Sequence, residues 1–138
     1  MYKRFKKTIE NIIEKYGDKK TAQEFLSQDV RLKVYKKGFM DFSIEKCGDR
    51  LFVGYYTEIN GDLVSDPIFV FDIRNDTWFP IRLEQILGDT DIGLIEGDEY
   101  KFNNRRFNDI MDFALSSCRE WNDYYLVDTD STSVVLRD

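Results

Sequence analysis

The 138-residue chain contains no histidine. That single absence removes Ser-His-Asp and Cys-His nucleophilic catalysis, imidazole acid–base chemistry and the commonest zinc ligand. Cysteine is nearly as scarce: Cys47 and Cys118 lie far apart, without metal-ligand or redox spacing. Two thiolates and no imidazole cannot close a structural zinc tetrahedron within one chain. Both are read as free thiols in a reducing compartment. Proline occurs twice, at Pro67 and Pro80, so long irregular linkers are not expected. No apolar run approaches the roughly 20 residues that span a bilayer. The first seven residues are charged and lead straight into an amphipathic pattern, without the apolar stretch of a signal peptide. A cytoplasmic protein with no membrane association and no cofactor is the expectation.

What is present suffices for a core. Apolar residues make up 42% of the chain and charged ones 33%, which is globular rather than disordered. Eleven Phe and eight Tyr add large burial energies. The length fits one domain over 1–138.

Phe5, Ile9, Ile12, Ile13 and Tyr16 recur at helical spacing, and Gly17 follows as a stop. Thr21 stands three residues before Glu24, the pattern of a capping box that opens a short second helix. The period then falls to two. Val30, Leu32 and Val34 alternate with polar residues, as do Met40, Phe42 and Ile44, and Leu51 to Glu58 makes a third strand. Asn60-Gly61 is the strongest short hairpin signal, because both central residues of a type I′ turn need positive φ. Leu63 to Ile73 is a fourth strand, where Asp66-Pro67 demands a bulge or an edge position. Trp78 to Ile86 is a fifth. Residues 87–101 form an acidic loop with room for a short strand at Ile92–Ile95. A long helix begins near Asn103 or Asn104, with Phe107, Met111, Ala114, Cys118 and Trp121 in one stripe, widened by Ile110 and Leu115. Residues 128–138 are polar apart from Val134-Val135-Leu136 and read either as an edge strand or as a flexible tail. The fold class is α+β: an antiparallel β-meander of about five strands, packed with an N-terminal helix pair and a long C-terminal helix.

From Leu51 onward, Tyr56, Asn60, Gly61, Asp62, Leu63, Asp66, Pro67 and Phe71 spell aromatic-x-x-x-Asn-Gly-Asp-Leu-x-x-Asp-Pro-x-x-x-Phe. Trp78-Phe79-Pro80 and the helix from Phe107 to Tyr125 continue the pattern. This resembles a bacterial, plasmid- and phage-associated family of unknown function, over roughly residues 51–126. Ile59 and Ile68 stand where that family usually has Gln and Glu. The resemblance implies the fold and a mobile-element setting, and no activity.

Asp62 and Asp66 are the obvious carboxylate pair. Four residues of extended strand put them about 13 Å apart, beyond the roughly 5–9.5 Å of glycosidase pairs. Asp89-Thr90-Asp91-Ile92-Gly93 with Glu96 departs from a calcium loop, since the glycine stands where a third ligand belongs. The glycines match neither nucleotide-binding fingerprint. Charge says more. Residues 1–50 carry 13 Lys/Arg against 8 Asp/Glu, a balance of +5; residues 51–138 carry 7 against 18, a balance of −11.

The resulting expectation is a non-enzymatic binding or accessory protein of mobile-element type, whose acidic surface meets a basic protein partner, in the manner of an anti-defence factor or nucleic-acid mimic. Its candidate binding residues are Asp62, Asp66, Glu84, Asp89, Asp91, Glu96, Asp98 and Glu99. The alternative is a nucleic-acid accessory protein using Lys3, Arg4, Lys6 and Lys7 of the first helix, with Lys33, Lys36 and Lys37 nearby. A further alternative is a carboxylate hydrolase with Asp62, Asp66 and Glu84 around a divalent ion.

Overall fold

A computed structural model describes residues 2–18, 21–127 and 132–137. Helix α1 (Lys3–Tyr16) turns Phe5, Ile9, Ile12 and Ile13 onto one stripe, and all four are fully buried. Gly17 ends it for a reason the sequence pattern does not give. Its φ is −90°, so it is no left-handed cap, and the positive φ falls instead on Asp18 at 62°. A Cβ at Gly17 would lie 2.5 Å from the Ile13 carbonyl oxygen and 2.9 Å from the Phe25 ring, so the requirement is for space. Helix α2 (Ala22–Phe25) opens as predicted: the Thr21 hydroxyl accepts the Glu24 N–H at 3.1 Å. The Glu24 carboxylate returns to the Thr21 hydroxyl at 3.3 Å, not to its backbone.

Seven strands form one antiparallel sheet: β1 (Val30–Lys36), β2 (Phe42–Cys47), β3 (Arg50–Ile59), β4 (Asp62–Asp72), β5 (Phe79–Glu84), β6 (Thr90–Asp91) and β9 (Thr132–Arg137), in the order β6-β5-β4-β3-β2-β1-β9. The five-strand meander is there, extended by one strand at each edge. β9 settles the reading of residues 132–137, which pair with β1 from Arg31↔Arg137 to Lys36↔Thr132. Residues 128–131 and 138, the rest of the tail, lie outside the described residues. The acidic loop contains a separate hairpin of β7 (Gly93–Glu96) and β8 (Glu99–Phe102).

The β3–β4 turn is the predicted one, with Asn60 at φ 52° and Gly61 at φ 86° between paired Ile59 and Asp62. Farther along the same ladder Gly54 pairs with Ile68 and Tyr56 with Ser65, leaving Asp66 and Pro67 opposite Tyr55 alone. This is the bulge that proline requires, in an inner strand; the Asp66–Pro67 bond is cis.

Helix α3 (Asn104–Trp121) is capped by the Asn103 side chain, which accepts the Arg106 N–H at 3.0 Å. Its buried stripe is Phe107, Ile110, Ala114, Ser117, Cys118 and Trp121, while Met111 and Leu115 are half-buried at the margin. The helix continues as a π-helical segment, Asn122–Val127, that buries Tyr125. Both long helices cover one face of the sheet. The Phe5 ring meets Phe69, Phe71 and Trp121 at centroid distances of 5.4, 4.8 and 5.6 Å. A smaller cluster of Ile68, Val70 and Ile81 is sealed by Phe52, Tyr56 and Tyr100.

Candidate functional site

The end of the sheet where β3 turns into β4 and β5 finishes is built from few residues. Ile59 and Leu63 flank the Asn60-Gly61 turn and stay exposed, Leu63 by 65%. After β5 the chain turns tightly, with the Gly88 N–H donating to the Gln85 carbonyl at 3.1 Å. That turn throws Ile86 and Leu87 outward, and Leu87 is fully exposed. Four large apolar side chains thus stand in water towards this end of the sheet, Ile59 and Leu63 on opposite faces of the hairpin, since Ile59 pairs with Asp62 and Leu63 with Glu58. Exposed apolar residues scattered singly are ordinary, and others stand elsewhere, among them Phe39, Met40, Leu94, Phe102 and Val127; several towards one end of a sheet offer a contact surface.

The predicted acidic residues divide into two groups. Asp62 is exposed beside the hairpin turn, Asp66 is half-buried in the bulge, and Asp89 is exposed where the chain enters β6. Glu84 closes β5 near the bulge, but it is engaged: Arg82 Nε and Nη2 donate to its Oε2 at 3.0 and 2.8 Å, and the Ser65 hydroxyl donates to Oε1 at 3.0 Å. These four share one end of the sheet. Glu96, Asp98 and Glu99 are exposed at the tip of the β7–β8 hairpin, where Glu96 and Glu99 sit opposite each other and Lys101 Nζ reaches Glu96 at 2.9 Å. Like charges in cross-strand register repel, so one neighbouring lysine only partly relieves the tip. Asp91, on β6, is exposed, and its carbonyl accepts Arg106 Nη1 at 2.9 Å. The hairpin is anchored on β5 by Tyr100, whose ring stacks on Phe79 at 4.6 Å and whose hydroxyl donates to the Pro80 carbonyl.

The basic residues of α1 do not make one face. Lys6 Nζ donates to the Asp76 carbonyl and lies 5.8 Å from the Trp78 ring, so it belongs to the β4–β5 loop. Arg4 turns to the α3 side, lining a cavity with Arg119. Lys3 and Lys7 are both exposed to solvent, and Lys36, expected nearby, is buried. Lys33 is half-buried and Lys37 exposed, both beyond the helix layer on β1 and the turn after it. Among the described residues no group of three or more Cys, Asp or Glu side chains is placed to hold a metal ion. No described helix is long and apolar enough to cross a membrane.

Two features escape sequence reading. Asp72 is buried and accepts the Arg74 backbone N–H at 3.1 Å together with the Arg74 guanidinium, Nη2 at 2.9 Å, which pins the β4–β5 loop. An Asp-x-Arg at a strand end is a weak signal for such a clasp. The outward Ile86-Leu87 pair has a better one, two apolar residues immediately before a glycine and an acidic run.

The thiols differ sharply. Cys47 is exposed and Cys118 buried; burial pushes the Cys118 thiol up to about 11 from its ordinary 9.0, against a smaller opposing pull from Thr8 and Arg4. Burial raises the Tyr55 and Tyr56 phenols as well. All three groups favour the protonated form when folded. Their contribution is therefore full below the unfolded-state values and is lost as pH rises through the folded ones. Chemical denaturation should show stability holding near pH 8 and falling from about pH 9 through about pH 11, with Cys118→Ala removing part of the slope. A thiol reagent at pH 8 should label Cys47 rapidly and Cys118 only on unfolding.

Comparison with curated proteins and with solved structures finds no match to the chain. A family model described as a domain of unknown function (DUF6908) matches residues 7–119, taking in most of α1, the whole meander and nearly all of α3. The match begins farther forward than the resemblance read from residues 51–126 and ends earlier, at residue 119. The chain is therefore a member of the DUF6908 family.

Proposed function

We propose that this protein is a non-enzymatic binding protein that docks the acidic, apolar end of its sheet on a basic protein partner. The reading includes a mobile-element setting in which the partner handles nucleic acid. One observation carries it: Ile59, Leu63, Ile86 and Leu87 are each exposed towards the end of the sheet that also holds Asp62, Asp66 and Asp89. Desolvating the apolar group supplies affinity, and the carboxylates around it supply steering and selectivity for a cationic surface. The nucleic-acid alternative through α1 has less support, since Lys6 is committed to the Asp76 carbonyl and Lys36 is buried.

The test is capture from host lysate followed by native mass spectrometry. A basic protein should be retained at moderate salt by the wild type and lost from a Leu63→Ser, Leu87→Ser variant that melts as the wild type does. Retention of no basic protein, or equal retention by the variant, would sink the reading.

A further inference from the structure

We infer that the seam between α1 and the end of α3 is a binding site for a small phosphate monoester, gripped by Arg4 and Arg119. A cavity of about 390 Å³ opens there, lined by Arg4, Thr8, Cys118, Arg119, Asn122 and Asp123. That volume lies within the roughly 300–1,000 Å³ of small-ligand sites. Its two arginines come from different helices and line one space.

Among the arginines whose side chains are described, four find oxygen partners within the protein and four do not. Arg31 pairs with Glu45, Arg74 with Asp72 and Asp49, and Arg82 with Glu84, while Arg106 donates to the Asp91 carbonyl. Arg4 and Arg119 have no ion pair and no side-chain hydrogen bond among the described residues. Arg50 and Arg105 share that state, but neither lines this cavity. Both arginines are exposed, and two cations beside one hollow set up a positive potential that favours an anion there. Asp123 is the one carboxylate in the lining, four residues after Arg119, where helical spacing would permit a pair; neither arginine makes it.

The remaining lining suits an oxyanion. Thr8, 8% exposed, and the exposed Asn122 add a hydroxyl-bearing and an amide-bearing residue to the lining. Cys118, 1% exposed, lines the same hollow. Guanidinium forks match phosphate oxygens in pairs. Two cations balance a dianion, the charge of a monoester rather than of a diester backbone. Asp123 opposes further negative charge on that side and can accept from a hydroxyl, so the rest of the ligand is neutral and hydroxyl-bearing.

Calorimetry with inorganic phosphate and with glycerol 3-phosphate, at ionic strength matched with chloride, tests this. The wild type should bind both, and Arg4→Gln and Arg119→Gln should each weaken binding about tenfold or more, as loss of a charge-assisted contact implies. Asp123→Asn should tighten inorganic phosphate, and Arg105→Gln should change nothing. Should either glutamine variant lose its cooperative melt, Arg4→Lys and Arg119→Lys keep the charge and remove the fork, and the same weakening is expected. Absence of phosphate binding by the wild type, undiminished binding by the arginine variants, or preference for a thymidine dodecamer over both monoesters would overturn the site.

Discussion

Gly54→Ala is expected to lower the unfolding free energy by about 3–5 kcal/mol, among the largest effects of any single substitution in this chain. Two costs coincide at this position. The φ of Gly54 is +145°, a region that side-chain-bearing residues rarely enter, at a cost of about 1–3 kcal/mol. In addition, a Cβ there would sit 2.1 Å from the Pro67 carbonyl oxygen, a backbone atom that cannot swing aside. The bulge on β4 is what brings that carbonyl over β3, so alanine must reopen the β3–β4 ladder or distort it. Gly61→Ala separates the two costs, because its φ is +86° but nothing lies within 4 Å of the added atom. It should lose only about 1 kcal/mol, the backbone contribution alone. Urea denaturation of both variants checks the contrast; equal losses would mean that the Pro67 contact is not the cause.

Trp121→Ala should cost about 3–5 kcal/mol, the range for deleting a buried aromatic. Trp121 is fully buried and touches every layer of the main core. Its ring lies 4.9 Å from Phe42, 5.6 Å from Phe5, 5.9 Å from Phe69 and 6.2 Å from Tyr55. Trp121→Phe is the informative companion. The indole Nε1 is buried without a hydrogen bond of ordinary geometry, although the Tyr55 hydroxyl is near enough to feel it. Phenylalanine leaves a smaller cavity and removes that unsatisfied donor, so its cost should fall to about 1–2 kcal/mol. A loss from Trp121→Phe as large as from Trp121→Ala would show that the indole N–H stabilises the fold.

Local rules made much of the fold legible. The stripe of α1, the Thr21 cap, the Asn60-Gly61 turn and the bulge at Pro67 each depend on residues within a few positions of one another. What escaped depends on partners far along the chain. β9 pairs with β1 about a hundred residues away, and Val134-Val135-Leu136 alone does not name that partner. β6 is two residues long, below any periodicity, and β8 hides in an acidic run whose hairpin is held by Tyr100 on Phe79. Gly54 reads as an ordinary strand residue until the Pro67 carbonyl is brought against it. The candidate site follows the same division. Its carboxylates are visible in the composition, but their separation into a sheet-end group and a hairpin-tip group is not. The four exposed apolar residues at this end of the sheet are missed because, in a strand pattern, Ile and Leu are assigned to the core by default.

Hydrogen exchange of the isolated protein and of its complex with a captured basic partner tests the central proposal most directly. The account predicts new protection at residues 59–63 and 85–91, with α1 unchanged. Protection confined to α1 or to the outer edge of β9, with the β3–β4 and β5–β6 turns exchanging as they do in the free protein, would contradict it.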